Sequence, residues 1–482
     1  MRDLKRITII VIGVVLFLGS LSCISSDAIS IGPTLQGFGT QTRAAYGSKN
    51  EPIILVVTNL SDRNGNLEND FRNGVPVKTG SFLECLNYVP PADTGKIILF
   101  EVSGTIVATT EPFGYTVKHS YTTIAGQTAP SPGITLRNIC FGVKASDVFV
   151  QHLRIRIGDD QPGYDAENRG SGIVGSSDIY NVVFDHCSIS WGIDENFTVW
   201  NDSRWNNSKA YKLENITLSN SIISEALNNS IHPKGPHSMG PTIGYDTQNI
   251  SLIRNLFAHN HARNPYLRST KIAVVNNLVY NAKEPPGGIR PVFGPIEASF
   301  VGNVIRPGPD SGSTSGCVAS FHGWKNDWYN DGVGSKVYTH DNITANCDRY
   351  SGEWVGVQDA NNYRRVAGIK AVSPPVWPLK LKALPSKDVE KYIIAHAGAR
   401  PFDRDEVDIR IINDVKNGTG RIIDSQKDVD GWPVLRQSKR RLNIPLNPHK
   451  DNDGDGYTNL EEWLHKLSEQ SKVFPPNNLR SK

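Results

Sequence analysis

NISLIRNLFA at 249–258 and KIAVVNNLVY at 271–280 decide the fold. Each is a short run of alternating apolar residues, then a polar residue, then a second short apolar run. The period is two, that of a strand, and not the three-and-four spacing of a helix, so alternate side chains face inward. The pattern returns in DVFVQHLRIR (147–156), NVVFDHCSIS (181–190), NITLSNSIIS (215–224), EASFVGNVIR (297–306) and KVYTHDNIT (336–344). The starts recur at roughly 20 to 40 residues, the range of stacked coils with loops of unequal length. This predicts an all-β chain, a single-stranded right-handed parallel β-helix. Asn220, Asn255, Asn277, Asn303 and Asn342 stand in the middle of these units. An inward Asn at a sharp turn satisfies backbone groups of the coils above and below, so these five are read as structural.

The solenoid is assigned to residues 31–350. Its early part contains ILVVTNL, KIILFEVSGTI and YTTIAG, with a helical cap expected near Gly80 to Tyr88, because a bare coil end exposes an apolar edge. Residues 351–440 lose the strand pattern. They are expected to pack on the solenoid as an irregular tail with one helix, Lys387 to Ala397. Residues 441–482 form a calcium loop and helix.

Composition limits the alternatives. The chain has 482 residues, is 38% hydrophobic, and holds 43 Gly and 29 Pro with only 2 Met, which suits short strands and many turns. The formal net charge of +3 shows no basic block, and no nucleic-acid partner is expected. Residues 1–23 read as a signal peptide: Arg2, Lys5 and Arg6, then an apolar run from Ile9 to Leu18, then Ser20-Leu21-Ser22-Cys23. A secreted or cell-surface monomer is expected, with membrane attachment only if Cys23 carries lipid. Export permits disulfides, and Cys317 with Cys347 is the expected pair.

Gly104-Thr105-Ile106 and Thr122-Thr123-Ile124-Ala125-Gly126-Gln127-Thr128-Ala129-Pro130 resemble the pectate lyase family. Phe184-Asp185-His186-Cys187-Ser188-Ile189-Ser190-Trp191, Ile223-Ser224-Glu225-Ala226-Leu227 and Ala262-Arg263-Asn264-Pro265-Tyr266-Leu267-Arg268 agree in the same order. The resemblance implies β-elimination on an acidic polysaccharide such as pectate. A base removes the C5 proton of a galacturonate, the C4 oxygen leaves, and cations stabilise the charge that develops beside the carboxylate. It places the base at Arg263 and gives Arg268 to a substrate carboxylate as a bidentate fork. Lys234 and His237 are candidate substrate-binding residues.

The resemblance also implies calcium in the cleft, at Asp194 with Glu195 adjacent. Two positions depart from the family: Thr198 and Gly172 stand where it has Asp, and Asp165 or Glu167 of the preceding loop is the candidate substitute. A calcium-independent, pectin lyase-like enzyme and a non-catalytic sugar-binding β-helix therefore remain alternatives. A hydrolase needs two separated carboxyls. Asp194 and Glu195, read as neighbours on one strand, would point to opposite faces.

At the C-terminus, Asp451-Asn452-Asp453-Gly454-Asp455-Gly456-Tyr457-Thr458-Asn459-Leu460-Glu461-Glu462 fits an EF-hand loop. Asp451, Asp453, Asp455, Asn459, Glu462 and the Tyr457 carbonyl would supply oxygens, and Gly456 the sharp turn. A structural calcium ion is expected there.

Overall fold

The computed structural model describes residues 30–109, 114–160, 170–175, 178–201, 211–268, 270–312, 318–321, 334–345, 354–355 and 370–473. The expected signal peptide, Cys23, Asp165, Glu167 and the Cys317–Cys347 pair lie outside them. Among the described residues, three sheets of twelve, nine and nine strands run side by side. Strands from successive coils pair in parallel within each, so the chain is a parallel β-helix. Val148, Val182, Ile216, Ile250, Ile272, Ala298 and Val337 stand in register along the first sheet and are buried in the central core. Burying each such aliphatic side chain stabilises the stack by about 1.5–3 kcal/mol.

The corner between the first and second sheets explains the polar residues. His152, His186, Asn220, Arg254, Asn276, Gly302 and Asp341 take left-handed backbone there, with φ between 48° and 65°. The next residue points inward. Asn277 accepts through Oδ1 from the Asn255 backbone N–H at 2.9 Å, and Asn303 and Asn342 repeat the contact one coil further on. Each amide also donates to a backbone carbonyl of the coil below. Asn220 departs from the expectation. It occupies the left-handed corner itself, where its amide donates to Asp185 at 2.8 Å and its oxygen accepts from the Tyr392 hydroxyl at 3.1 Å. Ser221 takes the ladder position in that coil.

Helix α1 (Phe82–Asn87) caps the N-terminal end with a Ser81–Glu84 capping box. Lys96 closes its other end, donating to the carbonyls of Cys85, Leu86 and Tyr88.

The tail is more ordered than expected. It contains α2 (Ser386–His396) and a second helix that the sequence reading missed, α3 (Glu406–Asn417). Val389, Ile393, Ile411, Ile412 and Val415 pack on Ile222, Leu256, Leu278 and Tyr280 of the second sheet. Asp405 caps α3, and with Asp408 it pairs with the fully buried Arg154 and Arg156. The chain then returns to the first coils, where Ser438–Lys439 pairs antiparallel with Val102–Ser103. Helix α4 (Asn459–Val473) buries Leu460 and Leu464 against Ile54, Val56, Ile97 and Leu99. Two faces of the solenoid are thus covered, and the third carries a cleft.

Candidate active site

The cleft occupies about 700 Å³ on the third sheet. Its floor is a row of register partners with small or short side chains: Thr116, Gly142, Gly172, Thr198 and Thr242. These leave a shallow surface between taller walls. Gly172 has φ 138°, and a Cβ there would stand 2.1 Å from the Thr198 carbonyl oxygen. The backbone geometry of this coil therefore excludes a carboxylate at the position where the resemblance places one.

Arg263, Arg268, Lys234, His237, Asp194 and Glu195 all line this one cleft. Arg263 adopts left-handed backbone (φ 61°), and its Nη1 donates to Glu195 Oε1. A second asparagine cluster holds this corner: Asn196 donates to Asn260 and Asn260 to Asn264, each at 3.1 Å. Arg268 sits among aromatic rings, with Trp200, Tyr245 and Tyr266 centroids 5.6, 5.3 and 5.2 Å from its guanidinium carbon. The Tyr245 hydroxyl accepts from it, and among the described residues no carboxylate pairs with it. The planar fork is therefore braced by rings, with its charge directed to the cleft.

Asp194 and Glu195 correct the sequence reading. The strand begins at Phe197; Asp194 lies in a bend before it and Glu195 in an isolated bridge to Met239, and both carboxyls face the cleft side by side. Asp194 Oδ1 lies 2.9 Å from His237 Nε2. Burial, with Asp194 alongside, pushes the Glu195 carboxyl up against the opposing pull of Arg263. Burial also works to raise Asp194, but His237 and Glu195 prevail and hold it low. Carboxyls in direct contact are too close for the acid–base or acid–nucleophile separations of a glycosidase. That disfavours a hydrolase for a different reason from the one read in the sequence.

Several cleft residues escaped the sequence reading. Lys144 lies at the rim, Trp200 lines the wall, and His232 stacks on His237 with centroids 3.9 Å apart. Trp200 sits in an alternating strand, so its period was legible even though its role was not. The Asp451 loop lies apart from the cleft on the α4 side, and the Asp451, Asp453 and Asp455 carboxylates come within 4.8 Å of one another. Gly456 has φ 98°, as the turn requires. Asn459 turns its amide nitrogen to the Asn447 carbonyl at 2.8 Å, and Tyr457 donates through its hydroxyl to Ser30 O.

A parallel β-helix whose third sheet carries a cleft lined by Arg263, Arg268, Lys234 and Lys144 falls in the class of solenoids with a surface suited to an acidic polymer. Comparison with known proteins narrows that class. The chain is 28% identical over 475 residues to a probable pectate lyase C of Aspergillus flavus, covering 93% of this chain and 97% of the relative. It is 29% identical over 460 residues to a probable pectate lyase C of Neosartorya fischeri, covering 90% and 93%. The resemblance to pectate lyases thus extends over nearly the whole chain. Among solved structures, Jun a 1, the major allergen from cedar pollen, aligns with a TM-score of 0.50 at 14% identity, covering 76% of this chain and 92% of that one; it supports the fold alone. No protein-family model matches the chain.

Proposed function

We propose that this protein is a polysaccharide lyase that cleaves pectate, or a related uronate polymer, by β-elimination in the cleft of the third sheet. The observation that carries the reading is the meeting of Arg263, Arg268, Lys234 and His237 in one cleft, on a chain that aligns end to end with proteins named pectate lyase. Arg268 would hold a uronate carboxylate, and Lys234 and His237 would contact the chain beside it. Arg263 would accept the C5 proton; the C5–H electrons form the C4=C5 double bond and the C4–O pair leaves with the departing sugar. Glu195, the carboxylate bonded to Arg263, is the group placed to receive the guanidinium's proton before Arg263 takes the one from C5.

Calcium fits the cleft poorly. It takes six to eight oxygen ligands, whereas Gly172 admits no side chain, Thr198 has no carboxylate, and Asp194 and Glu195 already contact His237 and Arg263. No step of the elimination is derived through it. Calcium fits the 451–462 loop, where three clustered carboxylates repel one another and help push Glu462 up. Its role there would be structural, fixing the start of α4. Export to the cell exterior, expected from residues 1–23, suits a polymer too large to enter a cell.

The test is ultraviolet absorbance of the new double bond on polygalacturonate and on pectins of varied methylation, with calcium or EDTA. A rising signal supports the lyase. A flat trace from folded protein on every substrate sinks pectate cleavage and returns weight to a sugar-binding β-helix. Activity in EDTA on methylated pectin favours the calcium-independent alternative.

A further inference from the structure

The corner that suits calcium poorly gathers a different set of donors. Asp194, His232 and His237 each present one ligand atom within 4.8 Å of the others. We propose that Asp194 and His237, with His232 as third ligand, form a cleft site for a first-row divalent cation of the manganese-to-zinc class. Mixed imidazole and carboxylate donors select such ions, whereas calcium takes oxygen.

The Asp194–His237 distance is 2.9 Å, a direct hydrogen bond that an ion held between the two would replace. Charge gives the ion a purpose. The Asp194 carboxylate puts negative charge into a cleft where an acidic polymer must lie. One divalent cation reverses that sign and leaves coordination positions for a uronate carboxylate.

Binding has a structural cost. The two imidazoles are stacked 8° from parallel, so one ring must turn to bring its nitrogen to the ion. His232 Nδ1 accepts the Lys234 backbone N–H at 3.1 Å, so ligation through this ring gives up that bond or a proton. Gly235, between the histidines, has φ 85° and nothing within 4 Å of a would-be Cβ, which leaves room for the adjustment.

The inference takes the cleft as the polymer-binding surface proposed above, but ion binding is read apart from cleavage. Full-length protein carrying Asp451→Asn and Asp453→Asn, to silence the C-terminal loop, would be titrated calorimetrically with manganese, cobalt and calcium. The visible spectrum of bound cobalt reports nitrogen ligands. We expect one equivalent of manganese or cobalt, nitrogen-type bands, and calcium bound at least about tenfold more weakly. His237→Ala and Asp194→Asn, which lie on different loops, should each weaken manganese at least about tenfold. No saturable binding of manganese or cobalt by folded protein, binding untouched by both substitutions, or a preference for calcium overturns the proposal. If the ions bind as expected but polygalacturonate stays intact, the lyase reading fails and this site stands.

Discussion

Arg263 is bonded to Glu195, so the chemistry at this residue depends on a pair and not on one side chain. Arg263→Ala should lower the rate of double-bond formation by roughly two to four orders of magnitude, the usual cost of removing a general base. The thermal midpoint should hardly move, because the side chain is partly exposed at the cleft. Retention of more than about a tenth of the rate would show that another group takes the proton. Gly172 makes a second prediction at this scale. Gly172→Asp restores the family's residue type but drives Cβ into the Thr198 carbonyl. Crowding of this kind typically costs about 1–3 kcal/mol, so the denaturant midpoint should fall without any gain in calcium affinity. The arginines were legible because the surrounding motif fixes their coil, whereas Lys234 and His237 were only candidates in the loop before it. The direction of Asp194 and Glu195 was not, because alternation holds only inside a strand and these two precede one.

The corner ladder and the helices that cross it are the elements that keep the coils in register. Asn277→Leu fits the space roughly but leaves the Asn255 N–H and the Leu252 carbonyl without their partner. Each buried unsatisfied group costs about 1–3 kcal/mol, a loss readable in denaturant unfolding and larger than that of Asn66→Leu at an exposed loop. Alternating apolar residues gave the strands directly, and the left-handed corner was missed by one position because Asn suits both places. Helix α3 was legible too: Val407, Ile411, Ile412 and Val415 recur at helical spacing between Asp405 and Gly418, but the Pro-rich flank hid it. Helix α4 brings a pH dependence. Its Ser468 hydroxyl meets His152 Nε2 at 2.8 Å, while His152 Nδ1 meets the Ala399 carbonyl at 2.6 Å. Burial, then the neighbouring His186 and Lys472, hold the His152 ring well below its ordinary pKa. The unfolded chain therefore binds this proton first, and stability falls as pH drops below about 6.5. Thermal midpoints should decline from pH 7 to pH 5, and His152→Gln should flatten that slope. An unchanged slope would remove His152 from the account.

On the scale of the whole molecule, covering decides where function can sit. Two faces of the solenoid are closed by the tail helices and the N-terminal segment, so the third is left to meet a polymer. Calcium at residues 451–462 would act on this scale. Its removal with EDTA should lower the thermal midpoint and open the segment after Ser438 to limited proteolysis. Proteolysis at the same rate with and without calcium would deny the loop its structural role. That the tail packs on the solenoid was read from sequence, but not where it returns to the first coils. The hydroxyls of Ser103 and Ser438 meet at 2.8 Å across 335 positions, and no local pattern encodes such a contact.

That contact also sets a timetable. The coils can wind as they are synthesised, because each leans only on its neighbour. The strand that covers the edge of Val102–Ser103 is made more than three hundred residues later. Until then the first coils present an unpaired edge and an uncovered apolar face, both open to another nascent chain. A chain cut short before residue 438 would keep its cleft residues and still be the more dangerous molecule, a template for its own aggregation.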